Sequence, residues 1–346
     1  MSLPPPLNIN PPLVNSANPW ATTLEDLTAL YECPSTGAVT TRTALLSGFP
    51  HDPDKHQYSF FNPDTNIPAG QVSTPGDDGT ATASLNNLGY SPIPLDSYLG
   101  FIEAIAAKGN GAGVPGKGFI VSVTGSPVDV AECYVRIART QGVVGEQVPL
   151  AMEVNLSCPN IPGVPPLAYD AVALGGYLRA VREVVKDGGG GRVPWGVKTA
   201  PFTHAGQFGG FVEALRDVVV EGVCPVSFVT ATNTLGSCLV LDGEVSSKGE
   251  GGGGVNARLA GTGIGGMAGP PLHPLALGNV RTLREMLDEA PETRHIQIIG
   301  VGGVGDADGY RRMRDVGAAV VGVGTALGRK GVDVFAEIEK GLRGRW

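Results

Sequence analysis

Asn155-Leu156-Ser157-Cys158-Pro159-Asn160 places a thiol, a hydroxyl and two carboxamides close together, directly after the run Leu150-Ala151-Met152-Glu153-Val154. A thiol with hydrogen-bonding neighbours can serve as a general base or a nucleophile. Carboxamides can donate to and accept from a planar polar ligand. Pro159 keeps a helix from starting there and limits the backbone of Cys158. The plain alternative is a buried structural cysteine in a Pro-Asn turn, because free cysteine is among the most buried residue types.

Other residues invite chemistry at similar places. Lys198 lies inside the apolar stretch Gly196-Val197-Lys198-Thr199-Ala200. A buried lysine needs an anion or an electron-rich partner, unless it snorkels to a rim. Gly300-Val301-Gly302-Gly303-Val304 and Gly322-Val323-Gly324-Thr325 each end an apolar run. Backbone N–H groups exposed at such turns favour a phosphate, with simple tight turns as the alternative. Asn86, in Ser84-Leu85-Asn86-Asn87-Leu88-Gly89-Tyr90, and Asn233-Thr234 could frame a small planar ligand or form ordinary turns. The five histidines (His51, His56, His204, His273, His295) show no metal-ligand spacing and read as surface or loop residues. Neither a Ser-His-Asp order nor a Walker loop stands out.

These residues must be positioned by something, and the chain alternates strands and helices. Apolar runs at Phe119–Val123, Leu150–Asn155, Gly196–Ala200, Val226–Thr232, Ile296–Gly300 and Ala319–Val323 read as strands. Between them, Val130/Cys133/Tyr134/Ile137, Leu174/Leu178/Val181/Val185, Phe208/Phe211/Leu215/Val218, Leu283/Met286/Leu287 and Val334/Phe335/Ile338/Leu342 recur at helical spacing. Strands apolar throughout, separated by amphipathic helices, indicate a buried parallel sheet. Repetition of this unit predicts an α/β fold, a closed (β/α)8 (TIM) barrel whose site lies at the C-terminal strand ends. The chemistry-bearing residues fall just there. The expectation is one domain over 1–346, with an N-terminal extension and inserted loops at about 50–82 and 243–256. The second loop contains Gly251-Gly252-Gly253-Gly254, and Gly188–Gly191 reads as a glycine-rich helix exit.

Bulk composition narrows the function. The chain has 346 residues, 42% hydrophobic and 17% charged, enough for a sizeable core. Its 52 glycines and 28 prolines predict many tight turns, without a collagen period. Net charge is −8 and no Lys/Arg cluster forms a basic face, which argues against a nucleic-acid partner. The five cysteines are scattered and form no CxxC, so neither a zinc site nor an iron–sulfur cluster is expected, and a reducing compartment is. Neither a signal peptide nor a membrane span of about 18 apolar residues is read from the chain.

Asn155–Asn160 followed by Ile161-Pro162-Gly163, then Leu167-Ala168-Tyr169-Asp170, resembles the cytosolic, fumarate-linked class 1A dihydroorotate dehydrogenases. The likeness continues through Gly196-Val197-Lys198, Thr232 to Gly236, Gly261 to Gly266, Gly300 to Val304 and Gly322 to Leu327, and covers roughly residues 8 to 343. It implies an FMN-binding (β/α)8 barrel, a cytoplasmic homodimer that oxidises dihydroorotate to orotate in pyrimidine biosynthesis and passes electrons to fumarate. Carried over by position, Cys158 is the general base for the C5 proton, with Ser157 hydrogen-bonded near it. Asn86, Asn155, Asn160, Asn233, Thr234 and Arg42 would bind substrate, together with Leu88, Gly89 and Tyr90. Ala17, Arg42, Asn155, Lys198, Thr234, Gly265, Gly302, Gly303, Gly324 and Thr325 would bind FMN. No metal is implied. A cysteine as base resembles class 1 rather than the membrane-bound class 2.

The chain departs from the family pattern mainly on the substrate side. Arg42 stands where Lys is usual, keeping the charge but not its shape or hydration. Asn15-Ser16-Ala17-Asn18 replaces Asn-Ala-Ser-Gly, Gly89-Tyr90-Ser91-Pro92 replaces Gly-Leu-Pro-Asn, and Pro162-Gly163-Val164-Pro165 replaces Pro-Gly-Lys-Pro. Three further readings therefore stand beside the first: an FMN barrel acting on another small pyrimidine or unsaturated acid, a non-catalytic paralogue, and an NAD-linked class 1B core that needs an iron–sulfur partner.

Overall fold

The computed structural model describes residues 3–72, 79–108, 116–156, 167–186, 193–242 and 256–346. In chain order the first half runs β1 (Leu13–Asn15), α1 (Leu24–Glu32), β2 (Ala38–Thr40), β3 (Tyr58–Phe61), β4 (Ala83–Asn86), α2 (Leu95–Ala107), β5 (Gly118–Val123) and α3 (Pro127–Val144). The middle follows with β6 (Leu150–Asn155), α4 (Ala171–Lys186), β7 (Trp195–Lys198), α5 (Ala205–Arg216) and β8 (Phe228–Ala231). Then come β9 (Leu235–Leu239), β10 (Ile264–Ala268), α6 (His273–Asp288), β11 (Gln297–Val301), α7 (Ala307–Asp315), β12 (Val320–Val323), α8 (Thr325–Lys330) and α9 (Asp333–Leu342).

Eight strands close into a barrel in the order β1-β12-β11-β8-β7-β6-β5-β2, every pairing parallel. Together with the intervening helices this is the expected (β/α)8 barrel. β6 shows why its residues make such a strand. Leu150, Met152 and Val154 face outward into the core shared with the helices, whereas Ala151 joins a smaller cluster inside the barrel. Both faces are buried, so the strand alternates without a solvent side. Helix starts are marked locally: Ser126 and Asp129 form a capping box at α3, as do Thr23 and Asp26 at α1.

Two stretches depart from a plain barrel. β3-β4-β10-β9 form a separate antiparallel sheet, contributed by the connections after β2 and after β8. The segment expected as an inserted loop over 50–82 thus holds a strand, β3, paired with β4 from Tyr58↔Asn86 to Phe61↔Ala83. The expected loop at 243–256 and the exit at Gly188–Gly191 fall almost wholly outside the described residues.

The N-terminal ends of the barrel strands form a closed end. Leu7 is buried there with Val14, Ile120, Phe228 and Ile299. Its N–H donates to Gln297 Oε1 at 2.7 Å, and Gln297 Nε2 donates back to its carbonyl at 3.2 Å. Lys117, 1% exposed just before β5, donates to the Leu30 carbonyl at 2.8 Å, the Cys33 carbonyl at 2.6 Å and Thr36 Oγ1 at 2.7 Å. It thereby satisfies carbonyls at the C-terminus of α1, though burial pushes its pKa down to about 8.

Candidate active site

A cavity opens at the C-terminal ends of the barrel strands, against the small antiparallel sheet. The inward-facing side chain at each strand end reaches it because residues two apart in a strand share a face. Asn155 ends β6 and Lys198 ends β7, and the two are register partners across that pair. Thr232, Asn233 and Thr234 follow β8, Gly302 and Gly303 follow β11, and Gly324 and Thr325 follow β12; all line the cavity. Ala17 and Arg42 enter from the connections after β1 and β2, and Asn86 with Leu88, Gly89 and Tyr90 from the small sheet.

The expected site residues are therefore brought together, with two qualifications. Ser157, Cys158 and Asn160 lie outside the described residues, one to four positions beyond Leu156. Gly265 does not line the cavity. It sits in β10, where an added Cβ would come within 2.6 Å of the Asn86 carbonyl, so its lack of a side chain permits close strand approach.

The loop from Asn86 to Ser91 is held rigidly. Arg42, 9% exposed, donates from Nη2 to the Tyr90 carbonyl at 3.0 Å. Ser91 N–H donates to the Thr43 carbonyl and Phe49 N–H to the Ser91 carbonyl, each at 2.8 Å. The Phe49 ring lies against Gly89, whose φ of +66° and 2.6 Å clearance to Phe49 Cε1 leave no room for a side chain. His51, beside Arg42 and His56 at the rim, has its pKa lowered by burial first and by the Arg42 charge next.

The glycine turns make a backbone cradle. Gly302 and Gly303 have φ of +140° and +71°, and a Cβ on Gly303 would meet the Gly269 carbonyl at 2.8 Å. His273 corrects its sequence reading as a surface or loop residue: it is 8% exposed at the start of α6. Arg312 Nε donates to its Nε2 at 3.1 Å, so its proton sits on Nδ1 and donates to the Gly302 carbonyl at 2.7 Å.

Whether these residues suit a flavin can be tested on Lys198. It is 4% exposed, lines the cavity, and has neither an ion pair nor a hydrogen bond among the described residues. A buried ammonium in that state calls for an electron-rich group to arrive from the cavity. The cavity lining carries two basic side chains and, among the described residues, no Asp or Glu. A flavin, which gains negative charge on reduction, fits Lys198, and a phosphate fits the two glycine turns. No group of His, Cys, Asp and Glu among the described residues could hold a metal ion.

The family model for dihydroorotate dehydrogenase matches residues 73–345. The chain belongs to the dihydroorotate dehydrogenase family. That family is flavin-dependent. A relative from Trypanosoma cruzi, named dihydroorotate dehydrogenase (fumarate), is 28% identical over 332 residues, 96% of this chain and 88% of the relative. One of the same name from Saccharomyces cerevisiae is 30% identical over 261 residues, 75% of this chain and 72% of the relative. Among solved structures, a ligand-free DHODH from Eimeria tenella aligns with a TM-score of 0.66 at 16% identity, over 96% of this chain and 83% of that one. At that identity the likeness speaks for the fold alone. Among the described residues, no helix is long and apolar enough to cross a membrane.

Sequence reading missed part of the lining. Trp20, stacked on Phe60 at 5.7 Å and edge-on to Tyr58 at 5.5 Å, walls one side. Only an aromatic residue two positions past Asn18 could have signalled it. Glu153 was hidden in a run read as apolar, though it is a carboxylate facing into the barrel.

Proposed function

We propose that this chain oxidises dihydroorotate to orotate with FMN bound in the cavity and fumarate as the electron acceptor. The observation that carries the reading is Lys198: a buried lysine at a strand end, without a hydrogen bond or ion pair among the described residues, beside carboxamides and two glycine turns, in a family that is flavin-dependent. When bound, the flavin supplies two-electron acceptor chemistry. The chain's own residues do the rest. Lys198 would hold the electron-rich edge of the ring, and Gly302, Gly303, Gly324 and Thr325 would offer backbone N–H groups to the phosphate. Ala17, Arg42, Asn155 and Thr234 border the same group.

Asn86, Asn155, Asn160 and Asn233 hold the pyrimidine and its carboxylate, with Arg42, Thr234 and the Leu88–Tyr90 backbone. Cys158, as thiolate, takes the C5 proton, and Ser157 supports it. An ordinary thiol has a pKa of about 8.5, so a neighbouring donor or cation must favour the anion near neutral pH. The whole of 1–346 acts as one FMN-binding domain in a cytoplasmic homodimer. Leu239 and Ile264, each 43% exposed on the small sheet, give an apolar strip suited to a second copy.

A second reading, another small pyrimidine or unsaturated acid, is favoured by Arg42 and Tyr90. Both differ from the family pattern, and both line the cavity in contact with each other. Anaerobic titration of the purified flavoprotein with dihydroorotate separates the two. Bleaching of the flavin band supports the first reading; a yellow protein that stays yellow with dihydroorotate supports the second. Cys158→Ala should retain flavin and lose turnover by about 10²–10⁴-fold. Turnover at the native rate in that variant would remove Cys158 from the mechanism.

A further inference from the structure

A backbone N–H serves an anion only while its peptide faces the right way, and the turn after β11 has a peptide that does not settle its own direction. Gly302 and Gly303 have φ of +140° and +71°, and both line the cavity. The peptide joining them lies between two residues without a Cβ. Turning it over changes only the ψ of Gly302 and the φ of Gly303, and glycine takes positive and negative φ about equally well. Local sterics leave the direction open, so something else must hold it.

The holder comes from the start of α6. His273, 8% exposed, is packed against the turn: a Cβ on Gly303 would come within 2.6 Å of the His273 Cβ. Its Nδ1 lies 2.7 Å from the Gly302 carbonyl oxygen, and Arg312 Nε lies 3.1 Å from its Nε2. A guanidinium has only donors, so Nε2 accepts and the imidazole keeps its hydrogen on Nδ1, aimed at the carbonyl. In a planar trans peptide the C=O and the N–H point in opposite directions. A Gly302 carbonyl drawn toward His273 therefore turns the Gly303 N–H the other way. That N–H finds no acceptor among the described residues.

We infer that His273, with its tautomer set by Arg312, is a positioning residue for the anion cradle: its hydrogen bond to the Gly302 carbonyl keeps the Gly303 N–H turned toward the cavity, where a phosphate can take it. This rests on the reading of the glycine turns as the FMN phosphate site.

The signature is a loss confined to the phosphate. FMN and riboflavin share the ring and the ribityl chain, and FMN alone carries the phosphate. Fluorescence titration of the flavin-free protein gives a dissociation constant for each. His273→Leu removes the donor and should weaken FMN about tenfold, the effect of one lost hydrogen bond, with riboflavin unchanged. His273→Asn puts an amide N–H where Nδ1 stands and should bring FMN back to within about threefold of native, without reaching Arg312. If His273→Leu does not fold, His273→Phe keeps a ring, lacks the donor and carries the same expectation. Equal FMN affinity in native and His273→Leu or His273→Phe would overturn the inference alone. So would equal losses of FMN and riboflavin, or His273→Asn as weak as His273→Leu, because either marks a general loosening of the turn. Should riboflavin bind too weakly to titrate, recovery in His273→Asn decides. A native protein that holds riboflavin as tightly as FMN would overturn the phosphate reading, and one that binds neither would overturn the flavin reading; the inference falls with either.

Discussion

Two lysines are buried at opposite ends of the same barrel, and they are treated in opposite ways. Lys117 at the closed end is 1% exposed and gives its protons to three oxygens of the chain, two of them carbonyls at the end of α1 that otherwise have only the longer contacts of the Thr36 hydroxyl. Lys198 at the open end is 4% exposed and finds no such partner among the described residues. Folding alone supplies the hydrogen-bond partners of the first and, among the described residues, none for the second. The difference separates a residue that completes the protein from one that the protein leaves to be completed by a ligand.

Substitution should separate them most sharply in catalysis. Lys198→Met should slow flavin reduction by dihydroorotate about 10²–10³-fold, the usual cost of removing a charge aimed at a reacting group. The flavin-free protein should keep about the native stability, since Lys198 makes neither a hydrogen bond nor an ion pair among the described residues. Stopped-flow absorbance and urea unfolding measure the two, and a native reduction rate would erase the contrast. Lys117→Met should do the reverse. It leaves carbonyls dry at the end of α1 and should cost about 3 kcal/mol in urea unfolding, with flavin affinity intact.

The smallest effect is a slope. Burial holds the Lys117 pKa at about 8 against 10.5 for an ordinary lysine. The unfolded chain therefore binds the extra proton between those values, so the contribution of Lys117 to stability rises as pH climbs from about 8 to 10.5. Buried thiols act oppositely: Cys133 and Cys224 are pushed up to about 12, so their contribution falls once unfolded thiols ionise. The signature is thus the difference between native and Lys117→Met stabilities, which should widen with pH across that window. A constant difference would mean that the three oxygens keep Lys117 charged throughout.

The sequence showed what was local. Strands β5, β6, β7, β8, β11 and β12 are buried on both faces and mostly apolar, and the helices between them carry clear 3.6-residue patterns, so the barrel could be read from them. β1 and β2 span three residues each, too few for any period to show. The small sheet was missed because β3, β4, β9 and β10 come from two distant connections and are strands only once they pair. The site divided the same way. Asn155, Lys198 and the glycine turns stand at strand ends and advertise themselves by type. Gly265 is ambiguous, because a glycine that admits a neighbouring strand looks, in sequence, like one that admits a phosphate. Glu153 was hidden among apolar neighbours, and its partners come from elsewhere: Ser122 from the adjacent β5 and Thr230 from β8, two strands away.

The clasp between Leu7 and Gln297 has a practical side. It fixes the start of the described chain at the barrel end remote from the cavity, by two hydrogen bonds that mimic a strand pair. A dye, bead or surface tethered ahead of that point would leave the entrance facing solution. An electrode or optical sensor built on this protein would therefore be attached through its N-terminus.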